Sequence, residues 1–181
     1  MLEKFLEFSQ PFPIKTNVVF DSIIDFPDEI AFLLKEYAGN TFIDGFLSLV
    51  NPNEYLEVLE DIYIPFEKPS SCFAKDALGN LYVWENNSIK LINIRHGISE
   101  IIGRKPSVFF NLKMTDKGFL EKRLGIDSFY EAKEKLGSLS YDECYGYVPI
   151  LAAGGAEKVE NMQKVKLKEH IAIISQLAGK I

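Results

Sequence analysis

The sequence predicts an α+β fold, a central antiparallel β-meander flanked by N-terminal and C-terminal helices. Two changes of period and the composition predict it. Residues 26–39 carry apolar residues at helical spacing, residues 71–102 alternate in short runs, and helical spacing returns from Pro106. Hydrophobic residues make up 47% of the 181 and charged residues 25%, as in ordinary globular chains, and 14 Phe point to an aromatic core.

The stretch F-P-D-E-I-A-F-L-L-K-E-Y-A-G, residues 26–39, reads as the first helix. Pro27 sits in the first turn, where its missing N–H has no use. Asp28 and Glu29 face the positive end of the dipole, and Gly39 is the stop. Ile30, Leu33, Leu34 and Tyr37 form its buried stripe. The following N-T-F-I-D-G-F-L-S-L-V is strand-like. It leads into N-P-N-E, with Asn51 as N-cap, Pro52 as first helical residue and Glu54 closing a capping box. The helix that follows carries Tyr55, Leu56 and Leu59 and ends before Pro65.

Four alternating runs come next: S-C-F-A-K, L-Y-V-W-E, I-K-L-I-N-I and I-S-E-I-I. They are separated by the turn-formers A-L-G-N, N-N-S and R-H-G. Trp84, the single tryptophan, belongs to the second run and to the core. Beyond Pro106, S-V-F-F-N-L-K-M, F-L-E-K-R-L and F-Y-E-A-K-E-K-L are short amphipathic pieces. The closing helix is K-V-K-L-K-E-H-I-A-I-I-S-Q-L-A, with a stripe of Val165, Leu167, Ile171, Ile174, Leu177 and Ala178. The chain divides at 1–103 and 104–181, as two modules or as one compact unit.

The net charge of −6 is unevenly spread. Residues 1–70 hold 13 Asp and Glu against four Lys, whereas residues 71–181 hold 16 Lys and Arg against 13 acids. The acidic half argues against nucleic acid there; it suits a basic protein partner, and equally an ordinary solvated surface. The longest apolar run falls well short of the roughly 18 residues of a membrane span. The opening M-L-E-K-F-L-E-F-S-Q does not read as a secretory signal. Two cysteines, Cys72 and Cys144, are too few for a disulfide framework, so a reducing cytoplasm is expected.

Chemistry is hard to find. His96 in R-H-G and His170 on the last helix have no neighbour at metal-ligand spacing, and neither H-x-x-H nor C-x-x-C occurs. No catalytic, metal or cofactor-binding residue is assigned. The run D-E-C-Y-G-Y-V-P-I-L-A-A-G-G, residues 142–155, collects acids, a thiol and tyrosines. Cys144 has no basic residue beside it and reads as a small packed hydrophobe. Its G-G lacks a phosphate-loop ending and instead suits positive φ or a close backbone crossing. K-V-K-L-K is too short, and too free of aromatics, for a nucleic-acid platform.

The C-terminal run L-G-S-L-S-Y-D-E-C-Y-G-Y-V-P-I-L-A-A-G-G, followed by V-E-N-M-Q-K-V-K-L-K-E-H-I-A-I-I-S-Q-L, resembles the C-terminal domain of type VI secretion immunity proteins that neutralise DNase effectors. The matching positions include Leu136, Gly137, Asp142, Glu143, Tyr145, Gly146, Pro149, Gly154, Gly155, Asn161, Glu169 and His170; Tyr147 stands where Phe is usual. The N-terminal P-D-E-I-A-F-L-L-K-E-Y-A-G…F-I-D-G-F-L-S-L-V-N-P-N-E-Y looks like the GAD-like module that precedes this domain, with a looser SMI1/KNR4-like pattern.

The resemblance implies a non-enzymatic immunity protein in the cytoplasm of a Gram-negative cell. It would need no cofactor, bind no nucleic acid or membrane, and capture a cognate nuclease toxin. A second class is a nucleic-acid-associated regulator of its own operon, with the basic stretch from Arg104 to Arg123 as its surface. Specificity must follow the toxin, so Asp142, Glu143, Tyr145, Gly146, Pro149, Gly154 and Gly155 are expected to build the fold. Exposed acids and aromatics between elements, Asp44, Glu57, Glu60, Asp61 and Tyr63, are the expected partner-binding residues.

Overall fold

Two short leading elements open the computed structural model, which describes residues 1–15, 18 and 26–181: α1 (Glu3–Phe8) and the two-residue strand β1 (Phe12–Pro13). α2 (Asp28–Tyr37) begins directly after Pro27 and buries Ile30, Leu33 and Leu34, as its spacing requires. The strand-like stretch after it is a hairpin, β2 (Asn40–Phe42) and β3 (Leu47–Leu49). Its tight connection holds Ile43 and Asp44 at φ of 53° and 56°.

A 3-10 turn over Pro52–Tyr55 then feeds α3 (Leu56–Ile62). Asn51 caps it, with Oδ1 accepting the Asn53 N–H at 3.0 Å. Glu54, expected in a capping box, turns elsewhere: its carboxylate accepts from Lys15 (2.8 Å) and Tyr141 (3.2 Å). The Asn51 N–H donates to Tyr141 Oη at 3.4 Å. A tertiary ion pair has displaced the local motif.

The four predicted meander strands are β4 (Ser70–Asp76), β5 (Leu81–Glu85), β6 (Ser88–Asn93) and β7 (Ile98–Gly103). With β1 to β3 they make one seven-stranded antiparallel sheet in strict sequence order, three strands wider than the alternating region alone. The turns explain the order. Just before A-L-G-N, Asp76 is buried and accepts from the N–H groups of Leu78 and Asn80 (both 3.0 Å), the Asn80 amide (2.7 Å) and the Tyr82 hydroxyl (3.1 Å). In N-N, Asn86 and Asn87 take φ of 47° and 50°, the two-residue reversal that matches strand twist.

After the sheet, α4 (Pro106–Val108) widens into a π-type turn over Phe109–Lys113. α5 (Lys117–Leu124) is capped by Asp116, whose Oδ1 accepts the Phe119 N–H at 2.7 Å, and α6 (Ile126–Leu136) follows. β8 (Glu143–Tyr147) and β9 (Met162–Lys166) pair antiparallel as a separate two-stranded sheet, and α7 (Leu167–Ala178) closes the chain. The last helix therefore starts later than its apolar spacing suggested. Met162 to Lys166 alternate, and β8 supplies hydrogen-bonding partners, so Val165 lies in a strand rather than in a helical stripe. Leu177 and Ala178 are exposed on the final turn.

Sheet residues alternate between two cores. Tyr82, Leu91 and Phe73 join one cluster; Leu81, Val83 and Ile92 join another. Period-two alternation places these on opposite faces. The first face carries α1, α2 and α4 to α6, with a chain of rings through Phe42, Phe5, Phe110 and Phe109 at centroid spacings of 5.1 to 5.2 Å. The second carries α3 and α7. Each cluster draws residues from both sides of position 103, and Trp84 packs, half-buried, against the first.

Candidate functional site

The signature segment is a strand and its exit loop. Tyr145 is buried; its N–H donates to the Ala77 carbonyl (2.7 Å) and its hydroxyl to the Gly137 carbonyl (2.6 Å), tying β8 to the main sheet and to the end of α6. Asp142 pairs with Lys166 at 2.6 Å, which holds its carboxyl below the usual range, and its carbonyl accepts the first N–H of α7 (2.9 Å). The Glu143 carboxylate accepts the Ser140 N–H (2.8 Å). Tyr147 is buried, Ile150 is half-buried and Pro149 is exposed.

The glycines of the segment differ. A β-carbon on Gly146 would stand 2.5 Å from His170 Nε2, and one on Gly155 would collide with the Pro149 carbonyl oxygen. For Gly154, of the two expected roles, positive φ and close passage, the first holds, since it has open space around it. Its role is conformational, at φ 84°.

An open cleft of about 620 Å³ lies where β1 to β4, α6 and the α6–β8 connection meet. Its floor is one row of directly opposed residues: Phe12 faces Thr41, Thr41 faces Ser48, and Ser48 faces Lys75. Opposed residues of an antiparallel sheet share a face. Past Lys75 the same row runs on to Leu81 and Ile92 and turns apolar under α3 and α7. The cleft is therefore the polar end of the row that α3 and α7 cover further along.

Lys75 is its centre. It is only 2% exposed, yet among the described residues its Nζ makes one hydrogen bond, to the Glu143 carbonyl at 2.8 Å, and no ion pair. Burial pushes its pKa down from 10.5 to about 8, with Cys144, Asp76, Asp142 and Glu143 resisting the shift. At the rim, the Asp44 carboxylate accepts from Tyr130 Oη (3.1 Å) and the Asp44 carbonyl from Lys133 Nζ (2.5 Å).

The expected partner-binding residues do not form one patch. Glu57, Glu60 and Asp61 share exposed positions on α3, whose last carbonyls are held by the chain end: Lys180 reaches Glu60 O (2.5 Å) and Ser175 reaches Asp61 O (3.1 Å). Asp44 sits apart, against α6. Tyr63, expected exposed, is 4% exposed, because it closes α3 onto the second core and its hydroxyl accepts from Lys90 (2.9 Å). The exposed ring in that region is Phe66, at 85%. Sequence pattern missed Lys75, the last residue of the S-C-F-A-K run. A lysine beside Asp76 in a segment without a solvated face was the available signal.

The thiols are buried and hard to ionise: desolvation raises both Cys72 and Cys144 to about 12. That environment opposes a nucleophilic role for Cys144. His96 bridges Asn93 (3.1 Å) and Glu157 (2.9 Å) at the surface, whereas buried His170 has its pKa pulled down by desolvation and then by Arg95. Among the described residues, no group of three or more His, Cys, Asp or Glu side chains is placed to hold a metal, and no helix is long and apolar enough to cross a membrane.

Residues 104–178, which begin directly after β7, match the family described as T6SS immunity protein Tdi1, C-terminal. The C-terminal part of this chain is thus similar to a type VI secretion immunity domain. The signature strand β8, its partner β9 and α7 all lie in that part. The structure is also similar to the crystal structure of Atu4351 from Agrobacterium tumefaciens, with a TM-score of 0.71 over 97% of this chain and 89% of that chain. Sequence identity there is 17%, so the likeness is one of fold. No curated protein matches the sequence. Within the matched residues, α6 and Tyr145 wall the cleft, and β1 to β4 supply its floor.

Proposed function

We propose that the protein protects a Gram-negative cell by binding a nuclease effector of the type VI secretion system in the cytoplasm, acting by capture rather than catalysis. The match of residues 104–178 to the immunity family carries this reading. Three exposed acids on α3, with the 85% exposed Phe66 following the helix in the chain, suit a basic partner surface with an aromatic anchor. Tight capture asks for nanomolar affinity, about −12.3 kcal/mol, and an interface of roughly 1,600 Å² in total is the usual means.

Mixing the purified protein with the nuclease domain encoded beside it tests the reading. A stable complex on sizing and loss of DNA cleavage at equimolar protein are expected. Full cleavage at molar excess with no complex overturns it.

The regulator reading gains little from the basic stretch. Arg123 is paired with Glu100, Lys117 with Glu121, and Lys113 donates to the Ile102 carbonyl, so three of its cations already serve the chain itself.

A further inference from the structure

We propose that the cleft over β2 to β4 is a binding site for a monocarboxylate with an apolar body, its carboxylate taken by Lys75. The site stands independently of which effector the protein captures.

Three observations converge on that chemistry. Lys75 lies at the end of a polar cross-strand row in the cleft floor, and among the described residues its ammonium spends one of three donors, on the Glu143 carbonyl. Among the described residues this buried ammonium has no counter-ion, and a carboxylate arriving from solvent would supply further acceptors as a charge-assisted pair. Around that point the walls are apolar and aromatic, with Phe8, Phe12 and Leu139 offering surface to a hydrocarbon body. A volume of about 620 Å³ suits a small organic molecule.

The rim sets the charge of the ligand. The Asp44 carboxylate stands there, held by Tyr130, and would repel a second negative group. Lys133 is turned to the Asp44 carbonyl. One carboxylate at depth and an uncharged remainder is the pattern that fits. The other groups bearing on Lys75 are Asp76 beside it in β4, Asp142, Glu143 and Cys144 from β8 and its approach, and the Tyr141 ring at 6.0 Å. Glu143 offers Lys75 its carbonyl, because its carboxylate is occupied at the Ser140 N–H.

Phenylacetate and its neutral isostere phenylacetamide are the probes, followed by calorimetry and by NMR of 13Cε-labelled lysine in the full chain. Saturable one-to-one binding of phenylacetate is expected, with the amide at least tenfold weaker and the Lys75 titration moved upward by the acid alone. Lys75→Met should weaken phenylacetate binding at least tenfold while the melting temperature holds or rises, since a buried charge has been removed. If that variant does not fold, the lysine resonance of the unmodified protein decides. Equal binding of acid and amide, unchanged binding by folded Lys75→Met, or no saturation by about 10 mM acid overturns the site. Stronger binding of the free acid than of N-acetyl-phenylalanyl-glutamate amide assigns the ligand to small acids. The reverse order assigns it to an acidic side chain of a bound polypeptide, and either order supports the carboxylate site.

Discussion

Gly146 in β8 lies directly beneath His170 in α7: a β-carbon on the glycine would stand 2.5 Å from the imidazole Nε2 and 2.7 Å from Val165 Cγ2. This contact lets the signature strand, its partner strand and the last helix close on one another. Gly146→Ala should therefore destabilise the protein by about 1–3 kcal/mol, the usual cost of overpacking. Urea unfolding measures it, and adding His170→Ala should recover part of the loss. A wild-type midpoint for Gly146→Ala would show that the closeness is not what requires glycine.

The two glycines at 154 and 155 should separate cleanly. Gly155→Ala drives a methyl into the Pro149 carbonyl, backbone that cannot swing away, and should cost about 2–3 kcal/mol. Gly154→Ala meets only conformational strain at φ 84° and should cost about 1 kcal/mol. Gly154→Val, with a branched β-carbon, should cost more than the alanine. Thermal melts of the three variants give the order, and a Gly154→Ala as damaging as Gly155→Ala would contradict it.

Acid should loosen the contact between β8 and α7. Burial, then Arg95, lowers the His170 pKa below its ordinary 6.5, so the unfolded chain takes up this proton first as pH falls. The stabilisation is complete above about 6.5 and is lost as pH falls through the folded value. Denaturant midpoints at stepped pH should drop below that point, and His170→Gln should flatten that part of the drop.

Alkali should act through three buried groups of opposite sign. Lys75 is lowered to about 8, so from about pH 8 to 10.5 the unfolded chain binds the extra proton and stability rises. Cys72 and Cys144 are raised from 9.0 to about 12, so above 9 the unfolded chain loses their protons first and stability falls. Stability should thus rise modestly from pH 8 to 9, by about 1 kcal/mol at most, and then decline. Lys75→Met should abolish the rise and keep the decline; a rise that survives in the variant would locate its origin elsewhere.

Reversal of the α3 acids should slow capture more than it weakens the complex. A Glu57→Lys, Glu60→Lys, Asp61→Lys triple variant is expected to lower the association rate with a basic nuclease about tenfold at low salt, with the gap closing as ionic strength rises. Stopped-flow mixing measures it. An unchanged rate at low salt would remove α3 from the encounter surface, and Phe66→Ala would then show whether that exposed aromatic anchors the complex on its own.

Much of the architecture was legible in short-range pattern. The four central strands, their turns, α2 and the cap at Asn51 follow from period and turn chemistry, because those signals depend on residues only a few positions apart. Where a distant partner competes, local pattern loses. Glu54 leaves its capping box for Lys15 and Tyr141, and Val165 joins β9 because β8 lies within reach. Tyr63 disappears into the core because α3 packs on the sheet.

By itself the sequence determined the α+β class, the meander at its centre and the signature by which residues 104–178 resemble an immunity domain. Only the tertiary structure decided that Thr41, Ser48 and Lys75, separated by up to 34 positions in the chain, stand in one row beneath a cleft. The reason is physical. Period along a strand says which residues share a face, but cross-strand register and the covering helices decide whether that face meets hydrocarbon, water or a waiting site.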